Sequence, residues 1–173
     1  MLQKINQFSF SDAEIFIKLR KESLKNSGEF LMTYEDEEQN FTAKGYVEGG
    51  YLRNYYFIVF ENKVVGYLKF AQQWNTFQGK HNYIIGPIYI SEKFRNRGIA
   101  FIALSEMEEI IQTQNSSKYL TLHLQVSEKN LAAINLYKKL GYSISGTVPK
   151  YIHTKEGEFI GILCFYKILG KYL

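Results

Sequence analysis

The chain has 173 residues, 46% apolar and 22% charged, close to ordinary globular usage, which suits one globular domain spanning residues 1–173 and disfavours an intrinsically disordered chain. Its 14 Tyr, 13 Phe and one Trp against two Pro favour a sheet-containing domain with short connections. Net charge is +4, the first 85 residues balancing at 10 basic and 10 acidic and the remainder carrying 11 and 7; the excess points to an anionic partner in the C-terminal half, while no run is basic enough for a nucleic-acid arm.

The N-terminal Met1–Gln7 segment lacks the apolar stretch of a secretory signal. Leu2, Ile5, Phe8 and Phe10 suggest a first strand over residues 2–10. Ser11-Asp-Ala-Glu14 reads as a capping box, opening a helix that carries Ile15, Leu19 and Leu24 and ends near Gly28. Residues 29–50 hold the acidic run Glu35–Glu38 and a short helix stopped by Gly49-Gly50. Tyr55–Phe60 and Val64–Phe70, joined by Glu61-Asn62-Lys63, form a hairpin. Tyr83–Ile90 is a strand interrupted by Gly86-Pro87. Ile99, Ala103, Met107, Ile110 and Ile111 recur at helical spacing, with Glu106, Glu108 and Glu109 facing away. Tyr119–Val126 is a strand with Leu120, Leu122, Leu124 and Val126 on one face. Asn130–Leu140 is a short helix stopped by Gly141. Two strands, 142–148 and 159–168, close the chain around a Lys155-Glu156-Gly157 turn, and the single cysteine, Cys164, falls in the second as a core residue. One cysteine allows no intrachain disulfide, so a reducing, cytoplasmic compartment is expected. No stretch reaches the ~18 apolar residues of a membrane span. The order β-α-(α)-β-β-β-α-β-α-β-β describes a mixed sheet flanked by helices, an α/β arrangement.

The informative segment is Ile88–Ala100. A strand enters a basic turn with Lys93, Arg95, Arg97 and Gly98, then passes directly into a helix. A helix start offers free N–H groups and the positive end of the macrodipole. Gly98 permits close backbone approach and Ala100 keeps the wall small. Such a cradle suits a pyrophosphate. Neither the Walker nor the dinucleotide glycine pattern is present.

Arg95-x-x-Gly98-x-Ala100 matches the Gln/Arg-x-x-Gly-x-Gly/Ala signature, and here the chain resembles the GNAT superfamily of N-acetyltransferases. Downstream, Asn130-Leu-Ala-Ala133 through Tyr137 to Leu140-Gly141-Tyr142 resembles that family's asparagine, tyrosine helix and Leu-Gly-aromatic turn. The resemblance covers roughly residues 55–168. It implies acetyl-CoA as cosubstrate, with the pyrophosphate on Arg95, Asn96, Arg97, Gly98, Ile99 and Ala100. It implies that the pantetheine arm pairs with backbone near Ile88, Tyr89 and Ile90, in a slot where this strand splays from the next. Asn130, Ala133 and Tyr137 then complete the cofactor site, with no metal. Asn130 and Tyr137, seven apart, share a helix face, about 20° apart in angle and ~10 Å along the axis. Asn130 also suits an N-cap.

Acetyl transfer to an amine needs a neutral amine, donors for the oxyanion and a proton for the departing thiolate. Tyr137 is the expected proton donor, and backbone N–H near Ile90 is a candidate for the oxyanion. The base is open: residues 82–90 contain no glutamate, leaving His81, Tyr83, His123 and the acidic run as candidates. Glu35–Glu38 reads either as an acidic lip for a cationic amine or as a solvated helix start. Tyr51–Phe60 with Trp74, Phe77 and Tyr83 reads either as cleft wall or as core. The three histidines lack metal-ligand spacing. The expected partner is an amine acceptor, small or on a protein, with no nucleic acid or membrane; by resemblance the final strands suit a homodimer. A non-catalytic acyl-CoA sensor of the same fold is the alternative, and a nucleotide-binding protein a third.

Overall fold

The structure, a computed structural model, describes residues 1–30, 33–38 and 41–170, with the side chains of residues 29 and 35 outside that description. The elements are β1 (Leu2–Lys4), α1 (Phe10–Ser27), a 3-10 turn (Gly28–Phe30), α2 (Glu35–Glu38), α3 (Ala43–Glu48), β2 (Tyr55–Phe60), β3 (Lys63–Gln72) and β4 (Asn82–Ile90). A second 3-10 turn (Glu92–Phe94), α4 (Ile99–Thr113), β5 (Tyr119–Ser127), α5 (Leu131–Lys139), β6 (Ser143–His153) and β7 (Phe159–Gly170) follow. The mixed sheet runs β1-β2-β3-β4-β5-β7-β6. Among the described residues no helix is long and apolar enough to cross a membrane. Two compact units divide the chain: Met1–Lys69 with Pro87–Glu106, and Phe70–Gly86 with Met107–Leu173.

In the first unit, α1 starts two residues earlier than the Ser11 box suggests, and the first strand is correspondingly short. Ser9 is the N-cap: its Oγ accepts from the Asp12 amide at 3.2 Å, while Asp12 Oδ2 accepts from the Asn6 amide at 2.9 Å. The Ser9 cap satisfies one early helix donor, worth ~1 kcal/mol, and the Asp12 bond ties Asn6, ahead of the helix, to its first turn. Gly49 ends α3 as expected. The β2–β3 hairpin turns on Glu61 and Asn62 with φ of 49° and 58°, the left-handed pair that matches strand twist. Phe16 of α1 packs against Tyr46, Tyr55 and Tyr67 at centroid distances of 5.5, 4.7 and 5.0 Å. The segment over residues 51–60 therefore supplies core in Tyr55, Phe57 and Ile58, not a cleft wall.

In the second unit, β5 buries Leu120, Leu122, Leu124 and Val126 as the alternation predicts. It pairs antiparallel with β7 over its whole length. Its parallel ladder with β4 covers only Asn82–Ile84 against Thr121–His123. The strand β4 is not interrupted at Gly86-Pro87; it continues to Ile90, and Pro87 comes after the last residue paired to β5, so its missing N–H removes nothing from that ladder. Glu108 does not face solvent. It is buried, because Lys167 Nζ reaches its Oε2 at 2.6 Å and also donates to the Leu140 carbonyl at 2.7 Å. A buried charge persists only when paired in this way. Cys164 lies on the other face of β7 from Phe165, half-buried, with Sγ 4.0 Å from Gln125 Nε2. Trp74 and Phe77 are exposed at 57% and 86%, and Tyr83 donates its hydroxyl to Asn115.

Buried tyrosines make the fold sensitive to alkali. Burial pushes Tyr55, Tyr89 and Tyr137 up to about 12 from the ordinary value of 10.0. Below pH ~10 both folded and unfolded chains keep these protons; above it only the unfolded chain loses them, so stability falls as pH approaches about 12. Denaturant midpoints are expected to drop from pH ~9 to ~12, with the last tyrosinate absorbance rising together with loss of the fold.

Candidate functional site

The first unit carries the basic turn. Tyr89 and Ile90 are buried at the end of β4, and the Tyr89 hydroxyl donates to Glu22 of α1 at 3.1 Å. The Tyr89 side chain thus belongs to the scaffold and leaves only its backbone to a ligand. Ser91 donates to the same Glu22 oxygen, and its amide donates to the Val65 carbonyl at 2.8 Å, holding the strand end against β3. Gly66 of β3 faces this point. A Cβ there would overlap the Tyr89 carbonyl, so the two backbones approach as only glycine allows. The sequence reading missed Gly66; a lone glycine inside a β-rich run was the available signal.

Arg95 is engaged on several sides. Its Nε donates to the Ile90 carbonyl at 3.0 Å and its Nη2 to Ser27 Oγ at 3.2 Å, with Glu92 at 3.9 Å and the Tyr89 ring at 5.4 Å. It ties the end of β4 to the end of α1. Arg97 behaves differently: it is exposed and rests 5.7 Å from the Phe94 ring centroid. Asn96 and Gly98, with φ of 60° and 73°, bracket it in the left-handed region. Backbone of that kind gathers successive N–H groups into an anion-binding concavity. The first α4 bond is Ile102 N–H to the Gly98 carbonyl at 3.1 Å. Among the described residues, the amides of Asn96, Arg97, Gly98, Ile99 and Ala100 have no acceptor. Five consecutive free donors at a helix start, with roughly half a positive charge from the macrodipole, suit a diphosphate. Ile88 is half-buried on β4 just ahead of this turn.

The acidic run does not form a free lip. Glu38 is paired with Arg20, Nη2 to Oε1 at 2.6 Å and Nε to Oε2 at 2.9 Å, and Glu37 accepts from the Tyr34 amide at 2.6 Å. Glu35 lies outside the described side chains.

The second unit carries α5. Asn130 is its N-cap, Oδ1 accepting from the Ala133 amide at 3.1 Å. Ala133 therefore offers a ligand its small side chain and not its N–H, while Asn130 keeps its amide NH2. Tyr137 is 5% exposed, packed 5.8 Å from Tyr142 and 5.9 Å from Phe165 by ring centroids. Its hydroxyl has no hydrogen-bond partner among the described residues, and burial alone pushes it up to about 12. It holds its proton at neutral pH and has no acceptor to give it to within the protein. On the opposite face of β5, His123 Nε2 lies 3.2 Å from Asn82 Oδ1. No cluster of three or more metal-ligating side chains occurs among the described residues.

The model of the Acetyltransferase (GNAT) family matches residues 13–142, and the chain belongs to that family. It is 34% identical over 73 residues to the L-amino acid N-acetyltransferase AaaT of Escherichia coli, covering 42% of this chain and 43% of that protein. It is 28% identical over 103 residues to an L-methionine sulfoximine/L-methionine sulfone acetyltransferase of Pseudomonas paraeruginosa, covering 58% and 55%. The chain thus spans about half the length of these curated relatives. The fold matches yncA of Salmonella typhimurium, solved with acetyl-CoA, at a TM-score of 0.76 and 11% identity over 100% of this chain and 95% of that one.

The close approach at Gly66 is directly testable. Gly66→Ala is expected to lower stability by ~1–3 kcal/mol through displacement of β4, read as a lower urea midpoint. Gly146→Ala, where a Cβ meets nothing, is expected to leave the midpoint within ~0.5 kcal/mol of wild type.

Proposed function

We propose that this chain is an acetyl-CoA-dependent N-acetyltransferase that moves an acetyl group directly to a primary amine, with residues 1–173 working as one domain. The observation that carries the reading is the run of unbonded amides from Asn96 to Ala100 at the start of α4, beside the exposed Arg97. A CoA diphosphate fits such a cradle: the amides donate to its oxygens and Arg97 adds charge. Arg95 supports it by fixing the turn. Backbone of Ile88, Tyr89 and Ile90 is the candidate partner for the pantetheine amides. Asn130, Ala133 and Tyr137 are assigned to its thioester end.

The residues then divide the chemistry. The amine nitrogen attacks the acetyl carbonyl carbon with its lone pair, the carbon–sulfur bond breaks, and Tyr137 gives its proton to the departing sulfur. The phenol is protonated at neutral pH and so has a proton to give, while its burial, which pushes it up to about 12, makes it a weaker acid than an exposed tyrosine. The curated relatives are named for acetylating L-amino acids or methionine sulfoximine and sulfone, so a small amino-acid amine is the acceptor class to try first. The single unpaired cysteine fits a cytoplasmic setting.

The assay is thiol release from acetyl-CoA against a panel of the twenty amino acids, methionine sulfone and polyamines. Tyr137→Phe is expected to lower kcat by ~10²-fold with CoA-induced thermal stabilisation kept; an unchanged kcat removes Tyr137 from the role. Arg97→Glu is expected to abolish that stabilisation, and an unchanged shift overturns the diphosphate assignment. Equal stabilisation by ATP points instead to a nucleotide site. Stabilisation by CoA without turnover on any amine points to a sensor.

A further inference from the structure

We propose that His123 is the general base of the transfer, taking the amine's proton on Nδ1 while Asn82 holds the ring. This rests on the acetyltransferase reading and names the residue that the absence of a strand glutamate leaves open. Everything it uses lies in the second unit.

Asn82 Nδ2 donates to the Gly79 carbonyl at 3.2 Å, which fixes the orientation of the amide. The same Nδ2 lies 3.3 Å from His81 Nε2, which accepts. Asn82 Oδ1 is then the atom facing His123 Nε2, and an amide oxygen can only accept, so His123 carries its hydrogen on Nε2. The lone pair is left on Nδ1, for which no partner occurs among the described residues. An oriented imidazole with one occupied and one open nitrogen is the arrangement a base requires.

Position supports the role. His123 pairs with Ile84 at the last step of the parallel β4–β5 ladder, so it stands where the ladder stops. Ligands in open α/β sheets bind beyond the carboxyl ends of such strands. Leu124, the next residue, points to the other face, and its register partner is Phe165, against which Tyr137 packs. The base and the proposed acid therefore lie on opposite faces of the sheet, one residue apart along β5. An amine entering from the His123 face and a sulfur leaving on the Tyr137 face would meet across the end of that ladder. Protons balance: the amine nitrogen loses one to His123 Nδ1 as the C–N bond forms, the sulfur gains one from Tyr137, and solvent restores both side chains.

The titratable groups facing His123 are His81 ahead of β4, Tyr166 directly opposite on β7 and Cys164 two positions along it. Burial, then the neighbouring His81, lowers His123 from 6.5, so it is neutral at physiological pH. Activity carried by neutral His123 is full at neutral pH and falls as pH drops through that lowered value.

The test measures kcat/KM against pH with acetyl-CoA and whichever panel amine gives the highest rate. Wild type is expected to show an acid limb below 6.5. His123→Gln keeps a donor for Asn82 Oδ1; it is expected to lose ~10²-fold in kcat/KM, to lack the limb and to keep its CoA-induced thermal shift. Asn82→Asp places a carboxylate against Nε2–H and is expected to move the limb upward. An unaltered rate in His123→Gln overturns the assignment, and so does a reduced rate with the limb still in place. Thiol release with no amine on the panel overturns the acetyltransferase reading itself, and this inference with it.

Discussion

Three backbone pairs join β4 to β5, and the arrangement of the second unit depends on the ladder ending there. A longer parallel ladder would spend the backbone donors and acceptors of both strands on each other. Pro87 follows the last pair and carries no N–H with which to extend it. Antiparallel pairing with β7 runs along the whole of β5, beyond the end of its ladder with β4. The Lys167–Glu108 pair and the Tyr137, Tyr142 and Phe165 rings brace one face of that pair of strands. The other face is left polar, with His123 and Gln125 in line.

The first unit solves a different problem, that of presenting a backbone turn without collapsing it. Glu22 anchors Tyr89 and Ser91, Gly66 lets β3 lie against β4, and Arg95 binds the Ile90 carbonyl to Ser27. The turn beyond can then adopt two left-handed residues and leave its amides without acceptors among the described residues. Such donors cost little in water and gain most when a desolvated anion reaches them.

Identical residue types have divided into scaffold and chemistry. Arg95 and Arg97 are two apart in one motif, yet the first is engaged within the protein and the second is open. Glu38 and Glu108 looked like surface acids and are instead neutralised by Arg20 and Lys167. Within the C-terminal half Lys167 answers Glu108 and Lys129 answers Glu158, which leaves its excess of positive charge unchanged. Arg97 is the exposed cation of the basic turn ahead of α4.

Much of the fold was legible because periodicity and turn chemistry are local. The alternation in β5, the Asn130 cap, the left-handed hairpin and the glycine stops all follow from neighbours within a few residues, and so does the cradle motif. Burial of Glu108 against Lys167, the engagement of Arg95 with Ser27 and the approach of Gly66 to Tyr89 depend on partners 59, 68 and 23 positions away in other strands and helices. The His123 tautomer likewise depends on Asn82, 41 residues distant. The sequence by itself determined the family, the element order and the basic turn; only the tertiary structure decided that Arg95 is engaged while Arg97 is exposed, where the parallel ladder stops and that Asn82 faces His123, because each is set by a contact that the chain closes over long separations.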